Sequence, residues 1–206
     1  MTEFKKLIVL SSPSGGGKST LARHLSNLYP GLKFSVSATT RQKRQGERNG
    51  RDYFFISKDE FDRKIENKEL VEYEEIFGNF YGTLKSEIEK SVAQKKTMLF
   101  DVDVKGAISL EKAFPNDVVT IFIYPPSIKE LENRLRDRST ESEDEITKRL
   151  ARSEEEFSYK DQFDYTVLND ILEDALADIE KIAKKHIDKK LLNKNNGEKV
   201  KWNHAN

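Results

Sequence analysis

A glycine-rich turn between two apolar segments holds the first candidate residues for chemistry. The stretch 7–20 reads LIVLSSPSGGGKST: an apolar run suited to a buried strand precedes the turn, and Lys18 opens a helical pattern. Successive glycines let backbone N–H groups face one anion, and the start of a helix adds partial positive charge. Lys18 can reach the outer phosphates of a nucleotide, and Ser19 can bind Mg²⁺. The spacing therefore predicts a phosphate site, although Ser12 stands where the motif G-x-x-x-x-G-K-[ST] has its first glycine.

A second candidate anion site lies in the segment 38–53, which reads ATTRQKRQGERNGRDY. Its basic side chains are Arg41, Lys43, Arg44, Arg48 and Arg51. A guanidinium group binds phosphate through two parallel hydrogen bonds, so a polar, glycine-punctuated loop rich in arginine suits a second phosphate. A solvated, charged loop is the alternative, and the segment taken alone does not decide between the two.

Two aspartates follow another apolar run and extend the first site. Asp101 and Asp103 come directly after the run 98–100, which is typical of a buried strand. Ligands of α/β sheets bind outside the carboxyl ends of the parallel strands. After a phosphate-binding loop, an aspartate at such a strand end can support Mg²⁺. Ordinary loop carboxylates are the alternative.

Arginines recur on two predicted helices further along the chain. Arg134 and Arg138 are four residues apart, and Arg149 and Arg152 are three apart, so each pair shares a helical face. Two such helices around a polar turn resemble a mobile lid that brings charge to a phosphate. A solvated helical hairpin is the alternative, because glutamate is equally abundant there.

The elements that position these residues alternate along the chain. Short apolar or alternating runs predict strands at 7–10, 34–37, 53–56, 98–100, 118–124 and 164–168, and a strand pair over 70–83 that turns at 78–79. Helical patterns with capping or breaking residues predict helices at 18–29, 57–67, 85–94, 127–137, 142–159 and 170–192. Among the expected caps are Ser57, Ser127 and Asp170. This alternation predicts an α/β fold with a parallel sheet flanked by helices, carrying the arginine loop and the lid as insertions.

Composition excludes several classes of protein. The 206 residues include 36 basic and 36 acidic side chains, and this balance argues against a general nucleic-acid binder. There is no cysteine, so neither a disulfide framework nor a thiolate metal site is expected. No apolar run is long enough to cross a bilayer, and the stretch MTEFKKLIVLSS is too short in apolar residues for a signal peptide. We expect a cytoplasmic protein without nucleic-acid or membrane partners.

Two anion sites with a lid between them suit phosphoryl transfer from a nucleotide to another phosphate. The chain also resembles the guanylate kinase family. The motifs that carry this resemblance begin at Ser12 (SPSGGGKST), Ser35 (SVSATTR), Arg48 (RNGRDY), Leu70 (LVEYEEIFGNFYGT), Phe100 (FDVDVKGA), Arg134 (RLRDRSTES), Lys148 (KRLARSEEE) and Val167 (VLND). The resemblance implies transfer of the γ-phosphate of ATP to GMP, and to dGMP, in purine nucleotide metabolism. It implies a P-loop NTPase-type core at 1–34, 84–133 and 160–192, a GMP-binding lobe at 35–83, a lid at 134–159 and a polar, flexible tail at 193–206.

The resemblance also implies roles for individual residues. The GMP site would comprise Ser37, Arg41, Arg44, Tyr53 and Tyr81 around the phosphate, with Glu72, Thr83 and Asp103 around the guanine. The ATP site would comprise Ser12, Pro13, Ser14, Gly15, Gly16, Gly17, Lys18, Ser19, Thr20 and Asn169, with Asn169 near the adenine. Lys18, Arg134, Arg138 and Arg149 would neutralise the transferring phosphoryl group. Mg²⁺ would be held by Ser19 directly and by Asp101 through water.

Guanine presents N1–H and N2–H₂ donors that a buried carboxylate accepts, whereas adenine would leave that carboxylate unpaired. Besides Ser12, Ser139 departs from the family pattern, because it replaces the glycine expected after Arg138. Other readings stay open: a kinase for AMP, a pyrimidine monophosphate or a sugar phosphate, and a guanylate-kinase-like scaffold domain that binds peptides. Lys18 and the lid arginines argue against the scaffold domain. The oligomeric state, monomer or homo-oligomer, is left open.

Overall fold

The computed structural model describes residues 5–76, 78–94, 96–137 and 143–187. Its strands are β1 (Leu7–Ser11), β2 (Lys33–Phe34), β3 (Ala38–Thr39), β4 (Phe54–Phe55), β5 (Leu70–Ile76), β6 (Asn79–Leu84), β7 (Met98–Asp101), β8 (Val118–Tyr124) and β9 (Tyr165–Leu168). Its helices are α1 (Lys18–Leu28), α2 (Lys58–Glu66), α3 (Lys85–Ala93), α4 (Val104–Ala113), α5 (Ile128–Asp137), α6 (Glu143–Phe157) and α7 (Leu172–His186). Within this part of the chain no helix is both long and apolar enough to cross a membrane.

A parallel sheet in the order β2-β7-β1-β8-β9 carries the glycine-rich turn at its centre. Its central strands β7, β1 and β8 are buried on both faces, and successive side chains of each strand point to opposite sides. Ile8 and Leu10 of β1 pack in the cluster that includes residues of α1 and α7. Leu7 and Val9 pack on the other side, in the cluster that includes residues of α3 and α4. The predicted α/β fold with a parallel sheet flanked by helices is confirmed.

A second sheet, in the order β4-β3-β6-β5, holds the segment rich in arginine. β5 and β6 form an antiparallel hairpin, and β3 pairs antiparallel with β6 and parallel with β4. Helix α2 covers this sheet through Phe61, whose ring is fully buried against the rings of Tyr73 and Phe80. The insertion therefore has an apolar centre of its own.

Local capping explains where several helices begin. The hydroxyl oxygen of Ser57 accepts a hydrogen bond from the backbone N–H of Glu60, and Ser127 accepts one from Glu130, both at 3.1 Å. These bonds satisfy N–H groups that the first turn of a helix leaves without a partner. Both caps were predicted, and both are confirmed.

Two predictions about elements are wrong. The strand expected over 34–37 is split, because Phe34 ends β2 in the parallel sheet and Ala38 begins β3 in the second sheet. Residues 35–37 instead bridge the sheets: the N–H of Ser35 donates to Leu99 and the carbonyl of Ser37 accepts from Phe54. The N-cap of helix α7 is Ile171, without a side-chain cap bond, in place of Asp170, and the helix ends at His186, before the expected boundary. The predicted tail at 193–206 lies outside the described residues.

Candidate active site

The turn between β1 and α1 has the backbone of a phosphate cradle. Gly15 and Gly17 adopt φ angles of 91° and 93°, in the left-handed region that side chains disfavour. The N–H of Gly16 donates to the carbonyl oxygen of Pro13 at 2.9 Å, and that of Thr20 donates to Gly17 at 3.1 Å. Helix α1 begins at Lys18, so its N-terminal N–H groups point towards the turn. Ser12, at the position of the missing motif glycine, is buried and donates its hydroxyl hydrogen to the Pro13 carbonyl.

The reactive side chains of this turn meet the end of β7. Lys18 Nζ lies 2.7 Å from Asp101 Oδ1 and donates to the carbonyl oxygen of Val102 at 2.6 Å. Ser19 Oγ donates to Asp101 Oδ2 at 2.9 Å. The predicted meeting of the two strand ends is therefore found, because β1 and β7 are parallel neighbours.

Asn169, at the end of β9, supports the turn from behind. Its side-chain Nδ2 donates to the carbonyl oxygen of Gly16 at 2.8 Å, and its own carbonyl accepts from Arg134 Nη2 at 3.0 Å. A Cβ atom on Gly17 would lie 2.1 Å from Asn169 Nδ2, so only glycine fits beside this amide. The family resemblance implied that Asn169 lies near the adenine, but it did not predict these two hydrogen bonds, which connect β9 and α5 to the turn.

Helix α6, which belongs to the predicted lid, reaches the same turn. Arg149 Nη1 donates to Ser14 Oγ at 3.2 Å, across 135 residues of sequence. Arg134 lies on α5, where its Nε also donates to Glu130 at 2.8 Å. Arg138 and Ser139 lie outside the described residues. Of the predicted lid arginines, Arg149 therefore contacts the phosphate turn itself, and Arg134 contacts Asn169, which is hydrogen-bonded to that turn.

On the second sheet, Glu72 of β5 is a partly buried carboxylate. Its Oε1 accepts the hydroxyl hydrogen of Thr83, which faces it across the β5–β6 hairpin. Burial, with a smaller contribution from the nearby Asp103, raises the pKa of Glu72 to about 7, although the bond from Thr83 opposes the change. The structure brings Glu72 and Thr83 into contact, both of which were predicted for the guanine site, and the carboxylate can change its protonation state near neutral pH.

Asp103 is engaged on both oxygens. Oδ1 accepts from the N–H of Gly106 at 2.6 Å and so caps α4, while Oδ2 accepts from Arg152 Nη2 at 3.1 Å. Arg152 also contacts Glu74 Oε1 at 2.7 Å and Glu156 Oε1 at 2.9 Å. We call these four side chains, Arg152, Glu74, Asp103 and Glu156, the Arg152 cluster.

Burial, together with the hydrogen bond to Asp103, raises the pKa of Glu74 to about 7, although Arg152 opposes the rise. Burial would also raise the pKa of Asp103, but the bonds from Glu74 and Gly106 and the charge of Arg152 lower it. The two carboxyl groups thus influence each other, and the pKa is raised for Glu74 and lowered for Asp103. Sequence reasoning gave no role to Glu74 or Glu156. Glu74 lies two residues from Glu72, so both point to the same face of β5, and this spacing is the sequence signal that could have identified Glu74.

The arginine-rich loop forms the outer part of the second site. Arg41 is held in two parallel contacts by Glu47, at 2.7 and 3.1 Å, and its guanidinium carbon lies 5.4 Å from the centre of the Tyr53 ring. The rings of Tyr53 and Tyr81 meet edge to face at 6.0 Å. The backbone N–H of Arg44 donates to Glu47 at 2.7 Å. The loop is thus ordered around a glutamate that the sequence analysis did not select.

One cavity of about 600 Å³ joins the two sites. Its lining includes these predicted residues: Ser12, Ser14, Lys18, Ser37, Tyr53, Glu72, Tyr81, Asp101, Asp103 and Arg149. The other predicted residues that the structure describes are not among its lining residues: Pro13, Gly15, Gly16, Gly17, Ser19, Thr20, Arg41, Arg44, Thr83, Arg134 and Asn169. Glu74, Arg152 and Glu156 also line it.

Ser19 and Asp101 offer a pair of hard oxygen donors beside Lys18. Mg²⁺ prefers oxygen ligands and is usually held by one or two protein side chains together with substrate phosphates and water. In the described residues no group of three or more histidine, aspartate or glutamate side chains could hold a metal by itself. The donor set therefore fits a magnesium ion that arrives with a nucleotide.

Comparison with known proteins decides the family. A family model described as "Guanylate kinase" matches residues 4–186. The chain belongs to the guanylate kinase family. The guanylate kinase of Chlorobium luteolum is 45% identical over 171 residues, covering 83% of this chain and 87% of that protein. The guanylate kinase of Porphyromonas gingivalis is 46% identical over 186 residues, covering 89% and 99%.

A solved structure agrees with the sequence relatives. The crystal structure of guanylate kinase from Anaplasma phagocytophilum has a TM-score of 0.68 and 34% identity, over 89% of this chain and 86% of that one. Guanylate kinases are nucleoside monophosphate kinases and therefore transferases, and family membership supports GMP phosphorylation as the activity of this chain. The predicted resemblance to this family is confirmed.

Proposed function

We propose that this chain transfers the γ-phosphoryl group of ATP to GMP, giving ADP and GDP, with Mg²⁺ bound beside Ser19 and Asp101. The observation that carries the proposal is one cavity whose lining includes both Lys18 of the phosphate turn and the partly buried carboxylate of Glu72. The groups proposed to bind the donor and those proposed to bind the acceptor therefore face the same cavity.

The acceptor end suits guanine. Ionised Glu72 has two oxygens that accept hydrogen bonds, and the N1–H and N2–H₂ groups of guanine supply donors. Adenine has an acceptor at N1, so it would leave the buried carboxylate without a partner, and such a mismatch discriminates strongly. Asp103 lies on the same lining and has the lowered pKa of a carboxylate that stays ionised. The phosphate of GMP would then lie towards Ser37, Tyr53 and Tyr81, with Arg41 and Arg44 behind them.

The donor end suits a triphosphate. N–H groups of the turn 12–20 would bind its β- and γ-phosphates, and Mg²⁺, when bound, would neutralise charge on them. An oxygen of the GMP phosphate attacks the γ-phosphorus, the bond from that phosphorus to the β–γ bridging oxygen breaks, and ADP leaves. Lys18, Arg134, Arg138 and Arg149 would stabilise the charge that spreads over the transferred group. Positioning and electrostatics carry the rate, since no covalent nucleophile is required.

The test is a coupled ADP-release assay with ATP and Mg²⁺, in which GMP, dGMP, AMP, CMP, UMP and dTMP are offered separately. We expect turnover with GMP and weaker turnover with dGMP. Turnover with AMP or a pyrimidine nucleotide in preference to GMP would contradict the guanine assignment of Glu72. Binding of GMP without any turnover would favour the peptide-binding scaffold domain. A cytoplasmic location, a role in purine nucleotide metabolism and the division into core, lobe and lid stay predictions.

A further inference from the structure

Arg152 contacts both Glu74 of β5 and Asp103 at the start of α4. Its Nη2 atom lies 2.7 Å from Glu74 Oε1 and 3.1 Å from Asp103 Oδ2, while Nε donates to Glu156 at 2.9 Å on its own helix. One guanidinium therefore joins the lid helix to the second sheet and to the parallel-sheet core.

The same helix also carries the arginine that contacts the phosphate turn. Arg149 lies three residues before Arg152, and residues at this spacing are neighbours on a helix surface. Arg149 reaches Ser14 of the turn, and Arg152 reaches Asp103 of the acceptor side. Because a helical turn is stiff, a change in the position of Arg152 changes the position of Arg149 as well.

We propose that Arg152 is a positioning residue, which aligns the phosphoryl-stabilising Arg149 with the guanine-reading Asp103 by binding Glu74 and Asp103 together. The proposal rests on the proposed function for the roles of Arg149 and Asp103. The resemblance gave no role to Glu74, Arg152 or Glu156, and the Arg152 cluster adds three side chains to the site.

The charges of the Arg152 cluster favour a fixed arrangement of its four side chains over a mobile ion pair on the surface. The side chains of Glu74, Asp103 and Glu156 are exposed by 27%, 19% and 10%, and three carboxylates this close repel each other without a cation. A guanidinium group contacts several carboxylate oxygens in a planar fork, which an ammonium group cannot do. Removal of Arg152 would leave three partly buried acids without their shared cation, so Asp103 and α6 would both move.

The kinetic test compares Arg152→Ala, Arg152→Lys, Glu74→Gln and the double variant Glu74→Gln/Arg152→Ala in the GMP assay. Arg152→Ala should lower kcat by roughly tenfold to a hundredfold, as expected when a catalytic group is misplaced by about 1 Å. It should also raise KM for GMP several-fold and change KM for ATP less. Arg152→Lys should recover part of the loss, and the double variant should be less impaired than the sum of its single variants, because they break one interaction.

The matched control is Arg63→Ala, which removes an exposed arginine of α2. It should leave kcat and both KM values unchanged. The proposal would be overturned if Arg152→Ala had the kinetic constants of the wild type. It would also be overturned if the loss in the double variant equalled the sum of the losses in the two single variants.

A second readout does not depend on turnover. The chain has no cysteine, so spin labels can be placed at Glu154→Cys on α6 and Glu66→Cys on α2, both exposed positions. The distance distribution between them should be narrow with Arg152 present and broader in Arg152→Ala and Glu74→Gln. An unchanged distribution would overturn the proposal even if activity fell. Absence of GMP turnover in the wild type, with the distribution broadened by Arg152→Ala, would contradict the proposed function alone.

Discussion

Among single residues, Lys18 should be the one whose loss most directly stops the reaction. Its ammonium group is held at the cavity by Asp101 and the carbonyl of Val102, so it is positioned before a nucleotide arrives. Lys18→Ala should lower kcat by at least roughly a hundredfold to a thousandfold, because it removes a fixed charge where charge develops. The far-ultraviolet circular dichroism spectrum should stay unchanged. Lys85→Ala, at an exposed lysine, is the control, and full activity of Lys18→Ala would refute the phosphate-loop assignment.

Glu72 should determine the affinity for the acceptor. Glu72→Gln keeps the shape of the side chain but replaces one accepting oxygen with a donor, which opposes the donors of guanine. We expect KM for GMP to rise by roughly tenfold to a hundredfold, the cost of losing a charged hydrogen-bond partner, while KM for ATP changes little. Binding of each nucleotide can be measured by calorimetry. Equal losses for GMP and ATP would place Glu72 outside the acceptor site.

The same residue makes stability depend on pH in a defined direction. Burial raises the pKa of Glu72 from 4.5 to about 7 in the folded protein, so the folded state binds more protons than the unfolded state between these values. The free energy of unfolding should therefore fall as pH rises through this window. Relative to the wild type, Glu72→Gln should gain on the order of 2–3 kcal/mol of stability between about pH 4.5 and about pH 8.

Urea unfolding of both proteins across this range measures the difference. The Glu74 carboxyl, whose pKa is also raised to about 7, is present in both proteins and cancels in the comparison. A stability difference that does not change with pH would mean that Glu72 is ionised throughout the window. The expected direction links the proposed function to stability. The ionised carboxylate that would accept hydrogen bonds from guanine lowers the free energy of unfolding of the unliganded protein.

At the scale of elements, the contact between β9 and the phosphate turn should control ATP binding. Asn169→Ala removes the hydrogen bond to the Gly16 carbonyl and leaves the GMP site untouched. KM for ATP should rise by roughly five- to tenfold, the size expected for one buried neutral hydrogen bond, with KM for GMP unchanged. Asp170→Ala, at the exposed neighbour, is the control. An equal rise in KM for both nucleotides would show that Asn169 acts through the whole fold.

The elements also show which parts of the structure the sequence could predict. Helices capped by Ser57 and Ser127 were predicted because a cap depends on residues three positions apart. The split between β2 and β3 was not predicted. The alternation of residues over 34–39 is the same whether these residues belong to one sheet or to two. In the site, the Lys18–Asp101 contact follows from two parallel strand ends. The Arg152 cluster joins residues dozens of positions apart, and no local pattern specifies such ion pairs.

For the molecule as a whole, the two sheets are joined by short connections that can act as hinges. The chain passes from β2 to β3 through residues 35–37 and from β6 directly into α3 at Lys85. Hinge closure is absorbed by a few residues at the ends of elements, and kinase sites often close in this way around their substrates. The cavity between the sheets would be filled by two nucleotides, whose phosphates attract the basic groups on its opposite sides.

We therefore expect the molecule to become more compact when both nucleotides are bound. The radius of gyration from small-angle X-ray scattering should fall slightly with GMP alone and further with GMP plus a nonhydrolysable ATP analogue and Mg²⁺. AMP in place of GMP is the control, since it lacks the donors that Glu72 accepts, and it should not add to the effect of the ATP analogue. Scattering profiles that stay unchanged with GMP and the ATP analogue at saturation would contradict closure. In that case the arrangement of Arg149, Arg152 and Asp103 in the unliganded protein would already be the one that catalyses transfer.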